Sequence, residues 1–132
     1  MNDFTSSTAT SVTQISEYLI VAPRDQISAG MIETDLNTIL EEASKGIKGV
    51  VMNYAFVTIM DSAVFNAFRD VSAALDVMGI PSVWVCLRPG IVYSLLDLGL
   101  ELDYSYIHTA GTLEEGILLL EKKRRERTCR TL

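Results

Sequence analysis

The sequence has little of what catalytic centres are usually made from. Its 132 residues include one histidine, His108, and two cysteines, Cys86 and Cys129, with no CxxC pair. That excludes a disulfide framework and leaves no set of zinc ligands. Cys86 lies in an apolar run and reads as a small core residue of a reducing compartment, and Cys129, close to the end of the chain, reads as exposed. Neither a GxxxxGK[ST] loop nor a GxGxxG turn occurs, so two common phosphate cradles are missing. His108 could serve as a general base, but no nucleophile pattern accompanies it, and the alternative is a partly buried strand-end histidine. The acids of "ELD", Glu101 to Asp103, read as a polar loop and not as a metal site. The expectation is a protein that is not an enzyme and holds no metal or cofactor. Long apolar runs are also missing: none approaches the ~18–20 residues that span a bilayer. The polar opening "MNDFTSSTATSVTQ" lacks the basic-then-apolar pattern of a secretory signal. A cytoplasmic chain with no membrane contact is expected.

What is present is the composition of one globular domain, 48% hydrophobic and 21% charged, long enough to bury a single core. The net charge of -6 is unevenly placed. Of 11 basic and 17 acidic residues, six and one respectively fall within 122–132, so the preceding body carries 5 against 16, a charge of -11. Such a body argues against nucleic acid as a partner. The basic tail is either a docking element or the solvated end of a helix whose cations suit the dipole.

Periodicity divides the chain into residues 1–11, rich in Ser and Thr and expected to be disordered, a domain over 12–121, and the basic tail 122–132. "SVTQI" and "EYLIVAP" read as two short strands joined at Ser16 and Glu17. Ser28 is a plausible N-cap for a helix from about Met31 to Ser44, with Ile32, Leu36, Ile39, Leu40 and Ala43 at helical spacing. Gly46 and Gly49 lead into the strand-like "VVMNYAF". A second helix starts near Ser62, carries Val64, Phe65, Phe68, Val71, Leu75 and Met78 on one face, and stops at Gly79 before Pro81. "SVWVCL" is a continuous apolar strand, suited to a sheet covered on both faces. Pro89 opens a short helix with Ile91, Val92, Leu95 and Leu96 that ends at Gly99. "YSYIH" reads as a last strand, and Thr112 with Glu115 forms a capping box for the final helix. The order β-β-α-β-α-β-α-β-α predicts an α/β fold: a mostly parallel mixed sheet with four helices and an N-terminal β-hairpin.

Asp61 and Ser62 stand together between the strand "VVMNYAF" and the second helix. Asp is a favoured N-cap, so the pair either only caps the helix or leaves Ser62 as an exposed hydroxyl that something reads or modifies.

The stretch "GVVMNYAFVTIMDSAVFNAFRDVSAALDVMGIPSVWVCLRPGIVYSLLDLGLEL" resembles a STAS domain, the anti-sigma-factor antagonist family. Three marks carry the likeness: "MDS" at the second helix, "MGIPSVWVCLRPGIVYSLLDLGL" after it, and "TLEEGI" near the end. Together they cover roughly residues 12–121. The segment "LRPGIVYSLLDLGL" is most similar to the stressosome branch, RsbS and its RsbR relatives. The resemblance implies a scaffold for stress or sigma-factor signalling that sequesters an RsbT-type serine/threonine kinase, in a large assembly with RsbR-type STAS proteins, until Ser62 is phosphorylated. It places a second phosphorylation candidate at Ser94. Asn53 departs from the family, many of whose members carry Asp there. On this view Asp61 and Ser62 belong to a partner-binding face, with Glu33, Asp35 and Asp70 among the acids that would attract a basic partner. A homodimer is a further arrangement. Two other readings stay open: a stand-alone antagonist that binds an anti-sigma kinase directly, and a small anion- or nucleotide-binding domain using the loop Arg88–Gly90.

Overall fold

Alternating side chains and a two-residue turn set up the first hairpin. In the computed structural model, which describes residues 10–24, 29–99 and 107–131, β1 (Thr10–Ile15) pairs antiparallel with β2 (Tyr18–Pro23), Ile15 opposite Tyr18. Ser16 in the turn takes φ 56, the left-handed geometry that tight hairpin turns require. Residues 1–9 and the expected cap at Ser28 lie outside the described residues.

From β2 onward every strand is followed by a helix. α1 (Ala29–Ala43), β3 (Gly49–Asn53), α2 (Ser62–Val77), β4 (Ser82–Val85), α3 (Pro89–Asp97), β5 (His108–Ala110) and α4 (Leu113–Thr131) succeed one another in order. The sheet runs β1-β2-β3-β4-β5, and all pairings after the hairpin are parallel. Because each step moves one strand in the same direction, right-handed crossovers place α1, α2 and α3 on one face. Leu19, Val21, Val50, Met52 and Trp84 point from the sheet into that layer and meet Ile39, Phe65, Phe68, Leu75, Ile91 and Leu95. The opposite face, Tyr18, Ile20, Val51, Val83 and Val85, packs under α4 through Leu120. Both faces of β4 are therefore covered, and all four of its residues are buried, as its unbroken apolar run requires. Burying side chains of this size is worth roughly 1.5–3 kcal/mol each. Trp84 keeps its polar edge satisfied by donating Nε1–H to Ser72 Oγ at 2.9 Å.

Gly79 ends α2 with φ 81; Ile80 N–H then closes back on the Leu75 carbonyl at 2.9 Å, the left-handed termination that glycine adopts without a Cβ penalty. Two features depart from the sequence expectation. Met78 is 42% exposed instead of buried, because it is the C-cap residue after Val77 and has already left the apolar stripe. The last strand is His108–Ala110, in register with Val83 to Val85; of "YSYIH" it includes half-buried His108, Ile107 is buried just before it, and residues 104–106 lie outside the described residues. The N-terminal strand begins at Thr10, and α4 continues through the basic segment to Thr131.

Strand direction decides where the loops gather. Parallel strands bring the loops after β2, β3, β4 and β5 to one pole of the sheet. α4 starts at that pole, where Gly116 lies against Val85, and passes Gly49 and Tyr18 at the other. There Arg124 donates Nη1–H to Glu17 Oε2 at 3.2 Å and to Tyr18 Oη at 3.4 Å, and Tyr18 Oη–H donates to Glu121 Oε2 at 3.2 Å. Burial pushes the Tyr18 phenol up from its ordinary value, against the opposing pull of Arg124. The Arg124 guanidinium is raised by its bond to Tyr18.

Candidate functional site

The segment between β3 and α2 alternates between core and solvent. Tyr54, Val57 and Met60 are buried, whereas Phe56 is 56% and Ile59 78% exposed. The inward residues fasten the loop: Tyr54 stacks edge-on against Phe68 at 5.4 Å and tilts against Trp84 at 5.0 Å. Its hydroxyl is buried without a hydrogen-bond partner among the described residues, and burial holds the phenol well above its ordinary value. Backbone bonds start the turn. Tyr54 N–H donates to Val85 O at 3.0 Å, Val57 N–H to Tyr54 O at 3.1 Å, and Ala55 N–H to Asn53 Oδ1 at 3.0 Å. Asn53 thus supplies the acceptor of an Asx-type turn.

The loop ends on Asp61 and Ser62. Asp61 is extended, φ -92 and ψ 177, and its Oδ1 accepts from Val64 N–H at 2.8 Å; its carbonyl accepts from Phe65 N–H at 3.0 Å. It is the N-cap of α2. Ser62 is the first helical residue and is exposed. Capping is carried by Asp61, so the Ser62 hydroxyl is not needed for it, and it sits where the unpaired amides of a helix start favour negative charge.

Two arginines from neighbouring loops reach the same segment. Arg88, the N-cap residue of α3, donates Nε–H and Nη2–H to the Ala55 carbonyl at 3.3 and 2.8 Å. Arg24, after β2, lies over the Phe56 ring at 5.8 Å, within cation–π range. Sequence reasoning noticed Arg88 only as an anion ligand; the structure has its guanidinium engaged with a backbone carbonyl. It passed over Arg24, Phe56 and Ile59, although the apolar run into "MDS" was a visible signal for the last two. Cys86, which precedes this arginine by two residues, is only half-buried and takes φ 62, an uncommon geometry for a residue with a Cβ.

The remaining candidate residues are more dispersed. Ser94 is exposed on α3, alongside Tyr93, 71% exposed, and Leu96, 62% exposed. Asp70 is exposed on α2 and pairs with Arg69 Nη2 at 3.4 Å. With Leu36, Asn37, Leu40 and Val71 it lines a shallow groove of about 360 Å³ between α1 and α2. Glu33 and Asp35 lie on α1, and their side chains are outside the described residues. No helix among the described residues is long and apolar enough to cross a membrane.

No protein-family model matches the chain. It is 30% identical over 71 residues to YezB of Bacillus subtilis, an uncharacterized protein, covering 54% of this chain and 70% of that one. The chain belongs to the same family as YezB. Solved structures supply the fold. A serine-to-glutamate variant of RsbS from Moorella thermoacetica superposes with a TM-score of 0.75 at 20% identity, covering 89% of this chain and 99% of that one. A chain from a structure of the stressosome, described as a signal integration and transduction hub, gives 0.70 at 22% identity, with coverage of 87% and 99%. The anti-sigma factor antagonist SpoIIAA in its unphosphorylated form gives 0.67 at 14% identity, with coverage of 86% and 97%. The fold is the STAS fold, as the motifs around Asp61-Ser62 and Arg88-Gly90 implied.

Proposed function

We propose that this STAS domain is a non-catalytic regulator of stress or sigma-factor signalling: a cytoplasmic, RsbS-like scaffold that holds an RsbT-type serine/threonine kinase, together with RsbR-type STAS proteins, and is switched by phosphorylation of Ser62. The observation that carries the reading is the division of labour at the start of α2. Asp61 caps the helix, so Ser62 is exposed at the first turn with its hydroxyl left for other use. The likeness to RsbS, the stressosome and SpoIIAA supports the same assignment.

A phosphate on Ser62 adds roughly −1.5 to −2 charges at pH 7. The helix start attracts that charge, while Asp61 and the acidic body repel it. The fold survives and the surface changes, which is what a docking switch requires. The acids of α1 and α2, Glu33, Asp35 and Asp70, extend the partner face and speed encounter with a basic surface.

The test is incubation with a purified RsbT-type kinase, followed by mass spectrometry. Wild type is labelled on Ser62, and Ser62→Ala is folded, unlabelled and still binds the kinase. Phosphate on another residue, or none, reduces Asp61-Ser62 to a cap. Size-exclusion chromatography with an RsbR-type partner separates a scaffold, which elutes in a very large complex, from a stand-alone antagonist, which does not.

A further inference from the structure

Arg88 is 33 positions from Ala55 in sequence, yet two of its N–H groups converge on one carbonyl in the loop that delivers Ser62. We infer that Arg88 is a positioning residue for this loop: through the Ala55 carbonyl it holds residues 54–61 in the single conformation that presents Ser62, with Phe56 and Ile59 beside it, to the partner that reads the site. The inference rests on the proposed role of Ser62 for its functional consequence, but not for its structural one.

The loop's anchorage explains why such a residue is needed. Tyr54, Val57 and Met60 fasten it to the core, and Asp61 secures its end at the cap. Between them Phe56 and Ile59 face solvent, an orientation that the hydrophobic effect does not favour. Burial of Val57 and Met60 turns these two side chains outward, and polar bonds to the Ala55 peptide fix the backbone that carries them. The Ala55 peptide is fixed on both sides, its N–H by Asn53 Oδ1 and its carbonyl by Arg88. Arg24, over the Phe56 ring, holds the next residue from the other flank. A guanidinium suits this task because it offers donors in a rigid plane, which a lysine ammonium does not. Arg88 also begins α3, so the position of that helix and the conformation of the Ser62 loop are linked by one side chain.

Hydrogen exchange on the unmodified domain tests the structural part, without a kinase. In Arg88→Gln the amides of Ala55 and Val57 exchange about tenfold faster, the equivalent of one charge-assisted bond lost at a partly solvated site, while amides of β4 and the middle of α2 are unchanged. Arg88→Lys keeps the charge but not the fork, and falls between the two. Unchanged exchange at Ala55 and Val57 in Arg88→Gln overturns the inference, whatever the kinase does. The functional part is read from labelling kinetics. The competent loop is then only a fraction of the ensemble, so KM for the domain as kinase substrate rises several-fold with kcat kept. A fall in kcat alone, or equal KM for both proteins, removes the positioning role. Absence of labelling on wild-type Ser62 removes the proposed function and leaves the exchange result standing.

Discussion

Substituting Gly116 with alanine sets two effects of known sign against each other. Alanine in a helix interior is favoured over glycine by about 1 kcal/mol. Against this, a Cβ at position 116 would lie 2.6 Å from Val85 Cγ1 and 3.2 Å from Val83 Cγ1, where ordinary contact is nearer ~3.5–4 Å. Both valines are fully buried on β4, and β-branched side chains have little rotameric freedom with which to withdraw. α4 must therefore lift from the sheet by about 1 Å, and overpacking of this kind costs roughly 1–3 kcal/mol. With the valines unable to yield, the upper half of that range applies, for a net loss of about 1–2 kcal/mol. At roughly 4 °C per kcal/mol for a domain of this size, the melting temperature falls by about 4–8 °C. Urea unfolding of Gly116→Ala, Val85→Ala and the double variant checks the cause. Removing Val85 Cγ1 makes room for the new methyl, so the double variant is more stable than the sum of the two losses by about 1 kcal/mol or more. A Gly116→Ala domain as stable as wild type, or strict additivity in the cycle, refutes direct contact between α4 and β4 as the limit on this position.

Asp61→Ala lowers unfolding free energy by about 1 kcal/mol through loss of the bond to Val64 N–H, whereas Ser62→Ala changes it by about 0.5 kcal/mol or less; urea curves for the two variants separate cap from acceptor. Burial raises the Tyr54 phenol in the folded chain above its ordinary value of 10.0, so its contribution to stability is complete below that pH and is lost as pH rises further, because only the unfolded chain releases the proton. Tyr54→Phe, followed by thermal melts across the alkaline range, has a shallower decline than wild type. Deleting residues 122–132 removes the Arg124 bonds to Glu17 and Tyr18, which lie at a half-exposed surface, and lowers the melting temperature by only a few degrees. Raising salt slows association with a basic kinase surface if the acids of α1 and α2 steer it, and an on-rate indifferent to ionic strength places the partner elsewhere.

What the sequence made legible was local. Apolar spacing located α1, α2 and α3, and the glycines at 46, 79 and 99 marked their ends, each with positive φ. Asp61 could be read as an N-cap because that preference depends on one residue and the three after it. The unbroken run at Ser82–Val85 announced a strand covered on both faces. Non-local choices were hidden. The placing of β5 at His108–Ala110 follows from its pairing with Val83 to Val85, and register depends on the neighbouring strand. Arg88 gave no sign of its contact with Ala55, since nothing in either segment encodes the other. The positive φ of Cys86 was equally silent, with no glycine or asparagine to advertise it.

The antiparallel first strand and the long last helix have a consequence for how the domain can be joined to other things. Thr10 pairs with Pro23, so the chain enters β1 at the same pole as Ser62, whereas α4 leaves past the β1–β2 turn at the far side. A fluorophore, tag or neighbouring domain spliced ahead of Thr10 shares space with whatever visits the serine. The same cargo attached beyond α4 hangs from the opposite end, with the sheet between it and the switch. The two ends of the fold are therefore unequal ports, one suited to interfering with the control point and the other to tethering the domain without touching it.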